Sequence, residues 1–496
     1  MTDTTEFVTP AQYSLPSSPA DQELTPLDLV VPRMYGTRWI LAFPLSPEAD
    51  KSQTHENLRQ GLAHTIHAIP WIAGSIGLKE GSDPAQERVR ILDSASGGVM
   101  LRYKDLREDL PSYDDLKEKN FPLDKLPNDK VSPVGVMAEP PAPVMAAQAN
   151  FIKGGLLLTV ALHHSAGDAT ALETILSAWA QNTAATAAAS GSNNSSSGSV
   201  FTSCDAPSND RSILMQGTPP ESMAEFPEYV LRPNEKQLSL VVDETAATAA
   251  AAFQLPPMSG RIFYFSAAKL ADLKREAAAY STNDALCAFL WCQMTTARNP
   301  AASSSSSSAT EGKVSAFTSA VNIRGRTNPP LPSSYLGNAS LPSMTDRLPV
   351  SELITGPSES NTAAAPTGPL KRAAAAIRAS LQRYQSPTRV PQTIGLLGSR
   401  ADPSDYKHTF RAFLGPDVVA SSWSDIRLLA DGNNWGGEMG APEVFRIPGD
   451  DADGAVVIMP RRPGEDGLEV VVGLELGAMR RLLESKEFRR VAEVRC

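Results

Sequence analysis

Two adjacent histidines and an aspartate are the strongest candidates for chemistry in this chain. His163 and His164 follow the apolar run 156–162, and Asp168 comes four residues after His164. A neutral imidazole can take a proton from an alcohol or an amine near pH 7. The small residues 165–167 would let a substrate approach the ring. The spacing predicts that His164 is a general base at the end of a buried strand.

The same three side chains allow other interpretations. The carboxylate of Asp168 could orient the imidazole of His164, or it could pair with an arginine and hold the turn. His163 and His164 could also be a structural pair, or all three side chains could bind a metal ion. The metal site is disfavoured because no HExxH motif and no further ligand cluster accompany them. The sequence also lacks a Gly-x-Ser-x-Gly elbow and a glycine-rich phosphate loop.

A loop rich in glycine and asparagine near the C-terminus carries further candidates. Ser421, Ser422 and Trp423 precede it, and Trp435 and Gly436 lie within it. Periodicity does not place these residues on a helix or a strand. Two interpretations are open. Either the tryptophans are aromatic residues packed within a loop, or these residues form the rim of a substrate or cofactor site.

Two arginines form the last candidate group. Arg324 and Arg326 alternate at the end of a predicted strand. Such a pair is commonly a solvated or ion-paired face, and here one of the two could neutralise a buried carboxylate.

Helices and strands alternate along the chain and must position these residues. Residues 144–152 and 156–163, separated by glycines, predict a hairpin that ends at the histidines. Apolar residues at helical spacing predict a helix over 170–181. The pattern indicates an α/β fold with mixed sheets. Residues 217–254 have few periodic signals and several prolines, which is typical of a crossover between domains.

The domain prediction follows from that crossover. We expect an N-terminal domain over 1–216 and a C-terminal domain over 255–496. Three segments of biased composition predict mobile surface insertions, because they cannot bury enough apolar area to offset the entropy of ordering. These segments are 184–199, 301–312 and 358–369.

Composition excludes several classes of protein. The 496 residues are 42% hydrophobic, and 45 basic against 55 acidic residues give a net charge of −10. This acidic balance argues against nucleic acid or an anionic membrane as partner. No apolar stretch approaches the roughly 20 residues that span a bilayer, and the polar start has no secretion signal. Four cysteines without a CxxC pair fit a reduced, cytoplasmic protein.

Several segments in a fixed order together resemble one known family. In chain order they are 24–28 (LTPLD), 69–74 (IPWIAG), 163–168 (HHSAGD), 281–286 (STNDAL), 322–338 and 468–474 (LEVVVGL). This order is similar to that of the BAHD acyltransferases, in the fungal branch that includes the trichothecene 3-O-acetyltransferases. The resemblance covers nearly the whole chain.

The resemblance implies a fold and a mode of binding. It implies two domains that each resemble chloramphenicol acetyltransferase, with an active-site channel between them. Acyl-CoA, with acetyl-CoA expected as the donor, would enter from one face and a small alcohol from the other. No bound cofactor, no metal and a monomeric chain are implied.

The resemblance also implies roles for the candidate residues. His164, rather than His163, would be the catalytic base. Asp168 would mainly hold the loop through an arginine, for which Arg324 and Arg326 are the candidates. Ser421, Ser422 and Trp423 would lie near the acceptor and the reacting carbonyl, where they could stabilise the oxyanion.

One motif departs from the family pattern. The Asp-Phe-Gly-Trp-Gly stretch of the family reads Gly-Asn-Asn-Trp-Gly over 432–436, and Asp431 lies one residue early. Trp435 and Gly436 remain, so they stay candidates for the substrate rim. The departure concerns the packing of this loop and the entry of CoA more than the chemistry.

The sequence therefore predicts an acyl-CoA-dependent O-acyltransferase that modifies a hydroxyl of a specialised metabolite. Two alternatives stay open. One is an amide-forming relative, since nonribosomal condensation domains share the His-His-x-x-x-Asp pattern. The other is a non-catalytic protein that binds acyl-CoA on the same scaffold.

Overall fold

The structure of the chain is a computed structural model. It describes residues 3–11, 23–78, 89–92, 97–190, 208–232, 255–300, 310–354, 368–430, 432–449 and 452–496. Four predictions from the sequence concern residues that lie wholly or mainly outside these ranges. They concern the insertions at 301–312 and 358–369, residues 233–254 of the crossover, and Asp431.

The strands of the described residues form two large sheets and three small ones. In chain order they are β1 (Thr4–Val8), β2 (Thr37–Pro44), β3 (Ser75–Leu78), β4 (Val89–Leu92), β5 (Val99–Asp105), β6 (Ala142–Pro143), β7 (Met145–Ile152), β8 (Gly155–Leu162), β9 (Tyr229–Leu231), β10 (Met258–Phe265), β11 (Val314–Ser315), β12 (Phe317–Asn322), β13 (Ser340–Met344), β14 (Leu348–Pro349), β15 (Tyr406–His408), β16 (Val418–Ser422), β17 (Val444–Arg446), β18 (Ala455–Ile458), β19 (Leu468–Glu475) and β20 (Glu493–Val494).

The first large sheet carries the paired histidines at its centre. Its strand order is β1-β5-β7-β8-β2-β17. The hairpin predicted from the sequence is confirmed, since β7 and β8 pair antiparallel with Met145 opposite Leu162. Both strands are buried along their whole length. The end of β8, where His163 begins, is therefore held on both sides by neighbouring strands.

The second large sheet has the order β13-β12-β16-β18-β19-β10-β20. β16 runs parallel to both of its neighbours, β12 and β18, whereas β19 and β10 pair antiparallel. The first sheet also mixes both kinds of pair, because β5 and β7 run parallel. The predicted α/β fold with mixed sheets is confirmed. Ser421 and Ser422 lie at the end of β16.

The helices pack on these sheets. Residues Leu58 and Leu62 of α2 and Trp179 of α5 share one apolar core with the first sheet. Within the described residues, none of the helices combines the length and the apolar character needed to cross a bilayer. The helices are α1 (Pro26–Val30), α2 (Lys51–Ala68), α3 (Tyr113–Glu118), α4 (Asn128–Val131), α5 (Ala169–Ser190), α6 (Ala267–Glu276), α7 (Thr282–Arg298), α8 (Val350–Ile354), α9 (Pro369–Gln382), α10 (Arg389–Gly398), α11 (Leu476–Glu484) and α12 (Lys486–Val491).

Helix α5 is longer than its sequence pattern predicts. The prediction placed a helix over 170–181 and a mobile insertion over 184–199, but α5 continues to Ser190. The insertion was therefore wrong for residues 184–190. Alanine has the highest intrinsic helix propensity and loses no side-chain entropy in a helix. The alanine-rich run extends the helix for this reason, and residues 191–199 lie outside the described residues.

One strand from the C-terminal half completes the first sheet. β17 pairs antiparallel with β2, and Arg446 on β17 lies opposite Ile40. The Nη1 atom of Arg446 lies 2.8 Å from Oε2 of Glu469 on β19, and both side chains are buried. This ion pair links the two large sheets. The domain boundaries at residues 216 and 254 stay predictions.

Candidate active site

The backbone of His164 is held at both of its polar atoms. Its N–H donates to the carbonyl oxygen of Met34 at 2.8 Å. Its carbonyl oxygen accepts from Nδ2 of Asn338 at 2.7 Å. Met34 and Asn338 lie far apart in the sequence, so the position of His164 depends on long-range contacts of the fold.

One ring nitrogen of His164 has no hydrogen-bond partner. Its Nδ1 is buried without a hydrogen-bond partner, whereas Nε2 is not among the buried unpartnered atoms of the described residues. Burial is the largest influence and lowers the pKa of His164. The residue's own backbone and the carboxylates of Asp168 and Asp28 act in the opposite direction. Because its pKa lies below the usual value of about 6.5, the ring is neutral near pH 7.

The absence of a side chain at Gly36 leaves space for the imidazole of His164. A Cβ atom at this position would lie 3.0 Å from Cδ2 of His164. We expect Gly36→Ala to lower kcat about tenfold, because a displaced catalytic group loses its near-attack geometry. The KM for the acyl donor and the melting temperature should stay near their wild-type values. Steady-state kinetics would show this, and an unchanged kcat would mean that the ring adjusts without cost.

The carboxylate of Asp168 makes its hydrogen bonds to groups other than the imidazole. Its Oδ2 lies 2.9 Å from Nη1 of Arg324, and its Oδ1 lies 2.9 Å from Nη2. The N–H of Ala171 donates to Oδ1 at 3.0 Å, which caps the start of α5. The N–H of Ala339 donates to Oδ2 at 2.9 Å. Four hydrogen bonds thus fix the carboxylate between the histidine loop and the C-terminal half.

The two arginine candidates differ in position. Burial acts to raise the pKa of Asp168, but the charge and hydrogen bonds of Arg324 outweigh it and hold that pKa below its usual value. The guanidinium of Arg324 also donates to the carbonyl oxygen of Tyr335 at 2.8 Å. Arg326 does not reach Asp168 and donates instead to the carbonyl oxygen of Tyr384 at 2.9 Å.

Asp28 is a second buried carboxylate beside His164 that sequence reasoning did not assign to the site. Its Oδ1 accepts from Nδ2 of Asn338 at 2.8 Å and from the N–H of the same residue at 3.0 Å. Its Oδ2 accepts from the N–H of Thr25 at 2.9 Å, in a capping box at the start of α1. Because Nδ2 of Asn338 also donates to the carbonyl of His164, Asp28 supports the histidine through Asn338.

His163 is a structural residue of the hairpin end. Its Nδ1 accepts from the N–H of Ser165 at 3.1 Å, and its ring packs edge-on against Tyr35 at 5.4 Å between centroids. The carboxylate of Asp168 is occupied by Arg324. His163, His164 and Asp168 therefore do not converge on one point as the ligands of a metal ion would.

The buried His163 predicts a loss of stability in mild acid. Burial lowers the pKa of His163 to about 3, whereas an unfolded histidine titrates near about 6.5. Between these values the unfolded chain binds more protons, so the free energy of unfolding falls as the pH drops below about 6.5. Over about 1.5 pH units this group removes about 2 kcal/mol.

Urea unfolding at several pH values would measure this loss. A His163→Asn variant, which cannot take up the proton, should lose part of the acid sensitivity. Parallel pH dependences for the variant and the wild type would contradict the assignment.

Trp423 lies where the two halves of the chain meet. Its ring packs edge-on against Trp39 at 5.5 Å and Phe445 at 6.1 Å. Trp39 is three residues from Gly36, which touches the ring of His164. Ser421 is partly buried and Ser422 is exposed at the end of β16. Trp423 thus packs against the first sheet through Trp39 and Phe445, and the placement of the three candidates near the reacting groups stays a prediction.

Trp435 and Gly436 pack against helix α5 and strand β2. Trp435 is fully buried, with Phe43 at 5.7 Å and Trp179 at 5.4 Å between ring centroids. A Cβ atom on Gly436, at φ 70°, would lie 2.6 Å from Cα of Ala184. The loop is anchored in the core at these residues. Trp435 therefore fits the interpretation as a packed aromatic residue, whereas Gly436 is partly exposed, and the assignment of these residues to a substrate rim stays a prediction.

The sequence comparisons agree with this geometry. Residues 35–182 match the trichothecene 3-O-acetyltransferase-like N-terminal domain. An acyltransferase named BOA11 from Botryotinia fuckeliana is 29% identical, over 94% of this chain and 96% of its own length. Eremophilane O-acetyltransferase prx11 from Penicillium rubens is 27% identical, over 94% of this chain and 97% of its own length. The chain is thus similar to fungal acyltransferases over nearly its whole length.

Solved structures share the fold of this chain. TRI101 of F. sporotrichioides, complexed with coenzyme A and T-2, has a TM-score of 0.75 at 22% identity. That likeness covers 96% of this chain and all of the other. Vinorine synthase has a TM-score of 0.62 at 18% identity, over 99% of this chain and 98% of the other. The fold predicted from the resemblance is confirmed.

Proposed function

We propose that this acyltransferase moves an acyl group, with acetyl preferred, from acyl-CoA to a hydroxyl of a small specialised metabolite. The observation that carries the proposal is the imidazole of His164, whose pKa burial lowers so that it is neutral near pH 7, on a backbone that is fixed at both polar atoms. The relative prx11, an eremophilane O-acetyltransferase, supports an oxygen acceptor and an acetyl donor. TRI101 of F. sporotrichioides, which is complexed with coenzyme A, supports a coenzyme A thioester as the acyl donor.

The first step is the attack of the acceptor on the thioester. Nε2 of His164 takes the proton of the acceptor hydroxyl while the oxygen forms a bond to the thioester carbon. A general base of this kind contributes roughly 10²–10⁴-fold in rate. The imidazole becomes imidazolium, and the carboxylates of Asp28 and Asp168 nearby favour that charge, since both raise the pKa of His164.

The second step is the collapse of the tetrahedral intermediate. Its oxyanion needs hydrogen-bond donors, for which the hydroxyls of Ser421 and Ser422 and Nε1 of Trp423 are the candidates. The carbon–sulfur bond then breaks, and the thiolate of CoA takes the proton from His164. The ester and free CoA leave, and the histidine is neutral again. No bond to the protein is formed at any stage.

Asp168 serves this reaction as a positioning residue. Its four hydrogen bonds leave no oxygen directed at the imidazole, so its carboxylate fixes the loop. Asn338 has the same kind of role, since it joins the carbonyl of His164 to Asp28. A cytoplasmic, monomeric enzyme is part of the proposal.

The proposal is tested by CoA release. Purified protein is mixed with acetyl-CoA and with alcohols and amines of matched skeleton, and free thiol is followed. We expect release that depends on an alcohol and is at least tenfold slower with the matched amine. Faster release with the amines would establish the amide-forming alternative. Binding of acetyl-CoA without release for any acceptor would establish the non-catalytic alternative.

A further inference from the structure

Arg211 is a buried arginine beside the histidine loop that has no part in the reaction described above. Its side chain is 5% exposed. Its Nη2 donates to the carbonyl oxygen of Ala166 at 2.9 Å, and Ala166 lies midway between His164 and Asp168. Its Nη1 lies 3.6 Å from Oδ2 of Asp28, whose side chain is fully buried. One guanidinium therefore joins the histidine loop to helix α1.

The backbone on both sides of Arg211 is anchored to other parts of the chain. The N–H of Ser208 donates to the carbonyl oxygen of Ser334 at 3.1 Å. Three residues after Arg211, Leu214 shares one apolar cluster with Tyr335. The guanidinium thus reaches its partners from a fixed backbone.

The surroundings of the guanidinium fit closely. A Cβ atom on Gly337 would collide with Nη1 of Arg211 and with the hydroxyl of Tyr335. The ring of Trp71 also lies beside Arg211, with 5.6 Å between the ring centroid and Cζ of the arginine. These contacts come from segments far apart in the sequence, so the position of the positive charge is set by the fold.

The charge of Arg211 lies next to a carboxylate that acts on the catalytic ring. Oδ1 of Asp28 accepts from Nδ2 of Asn338, which also donates to the carbonyl oxygen of His164. Burial lowers the pKa of His164, and the charge of Asp28 acts in the opposite direction. A cation beside this carboxylate weakens its effect on the imidazole, because the two charges have opposite signs.

Other titratable or charged groups also lie near the histidine loop. Among the described residues they are His163, Arg33, Asp168, Arg324, Tyr335 and His408. Asp168 already forms two hydrogen bonds to Arg324. All of these groups are kept in the variants below, so a change in the pKa of His164 reports the substituted residue.

We propose that Arg211 is a positioning residue for His164. Its guanidinium holds the histidine loop at the carbonyl of Ala166 and offsets the negative charge that Asp28 places on the imidazole. A buried ion pair is often no more stable than apolar residues of the same volume, so we assign the effect of this pair to the neighbouring base. Removal of the cation leaves the carboxylate uncompensated and makes the imidazolium more stable. The inference rests on the proposed function and deepens it.

An NMR titration of protein with labelled histidines tests the electrostatic part. The chain has six histidines, and the signal that is absent from His164→Ala belongs to His164. We expect Arg211→Met to raise the pKa of His164 by about 0.5–1 pH unit, because a neighbouring cation no longer opposes protonation. Arg211→Lys keeps the charge and should reverse most of this shift.

Kinetics of the same variants test the positioning part. Arg211→Met should lower kcat on the alkaline side about tenfold through the loss of loop geometry, with an unchanged KM for acetyl-CoA. The acid limb of its pH–rate profile should move to higher pH together with the pKa of His164. Arg211→Lys should recover the midpoint of the profile but only part of kcat, because an ammonium lacks the fork of a guanidinium.

Arg446→Met is the matched control, because Arg446 is another buried arginine in an ion pair. Arg446 lies opposite Ile40, and Ile40 lies opposite Thr159. Thr159 comes five residues before His164, which is about 16 Å along a strand. This variant should lose stability and keep the pKa of His164.

Variants of Asp28 separate the charge from the fold. Asp28→Asn should lower the pKa of His164, because it removes the negative charge and keeps Arg211. The double variant of Asp28→Asn and Arg211→Met removes both charges, and its pKa should return towards the wild-type value. If Arg211→Met alone does not fold, the double variant is compared with Asp28→Asn, and equal pKa values of His164 would overturn the inference.

The remaining outcomes distinguish this inference from the function on which it rests. An unchanged pKa of His164 in folded Arg211→Met, or equal shifts in Arg211→Met and Arg446→Met, would overturn the role of Arg211 and leave the acyltransferase proposal intact. The titration needs no turnover. The expected shift without thiol release in the wild-type protein would overturn the proposed function and leave Arg211 as the residue that adjusts the charge at His164.

Discussion

His164→Ala is expected to lower kcat by about 10²–10⁴-fold, which is the usual contribution of a general base. The melting temperature should change little, because the hydrogen bonds to Asn338 and Met34 are made by the backbone of His164, which the substitution keeps. Binding of acetyl-CoA should also persist. Steady-state thiol release and calorimetry on the purified variant would measure these quantities.

A matched histidine variant provides the control. His67 is exposed on the last turn of α2, so His67→Ala should leave kcat unchanged. If His164→Ala retained more than about a tenth of the wild-type rate, another group would be the base. The pH dependence gives a second check. Since burial lowers the pKa of His164, the rate should fall in acid with a midpoint below about 6.5.

Arg324→Met is expected to destabilise the protein by about 3–5 kcal/mol, because it leaves the carboxylate of Asp168 buried and unpaired. Both side chains are less than a tenth exposed. The loss should appear as a lower urea midpoint with an unchanged slope. Activity at a temperature where the variant is still folded should be lowered much less than by loss of His164.

Arg326 is the matched control for this experiment. It lies two residues away, is exposed and donates to one backbone carbonyl, so Arg326→Met should cost less than about 1 kcal/mol. Adding Asp168→Asn to Arg324→Met should recover part of the stability, since the uncompensated charge is removed. A stable Arg324→Met variant without activity would instead give the arginine a direct part in catalysis.

Local sequence pattern was sufficient for the elements nearest to the chemistry. The hairpin of β7 and β8 follows from two apolar runs around glycines, and the paired histidines lie at its end as expected. The pattern of α5 was recognised for its first turns. Its extension to Ser190 does not follow from apolar periodicity. The biased composition after residue 183 indicates a loop, whereas the helix propensity of alanine favours the helix that is found.

The contacts between distant residues could not be predicted in the same way. The capping box of Thr25 and Asp28 has a sequence signature, yet nothing local shows that the second oxygen of Asp28 reaches Asn338. The choice between Arg324 and Arg326 depends on a turn that only the folded chain defines. The burial of Trp435 depends on Phe43 and Trp179, which come from other elements.

The measurement that tests the central claim most directly follows an isotopic label from the acyl group of acetyl-CoA. Wild-type protein should place the label in an ester of the alcohol acceptor, leave none attached to the protein after denaturation, and lose this transfer in His164→Ala. Label retained covalently on the chain, or transfer that persists in His164→Ala, would contradict direct transfer with His164 as the base.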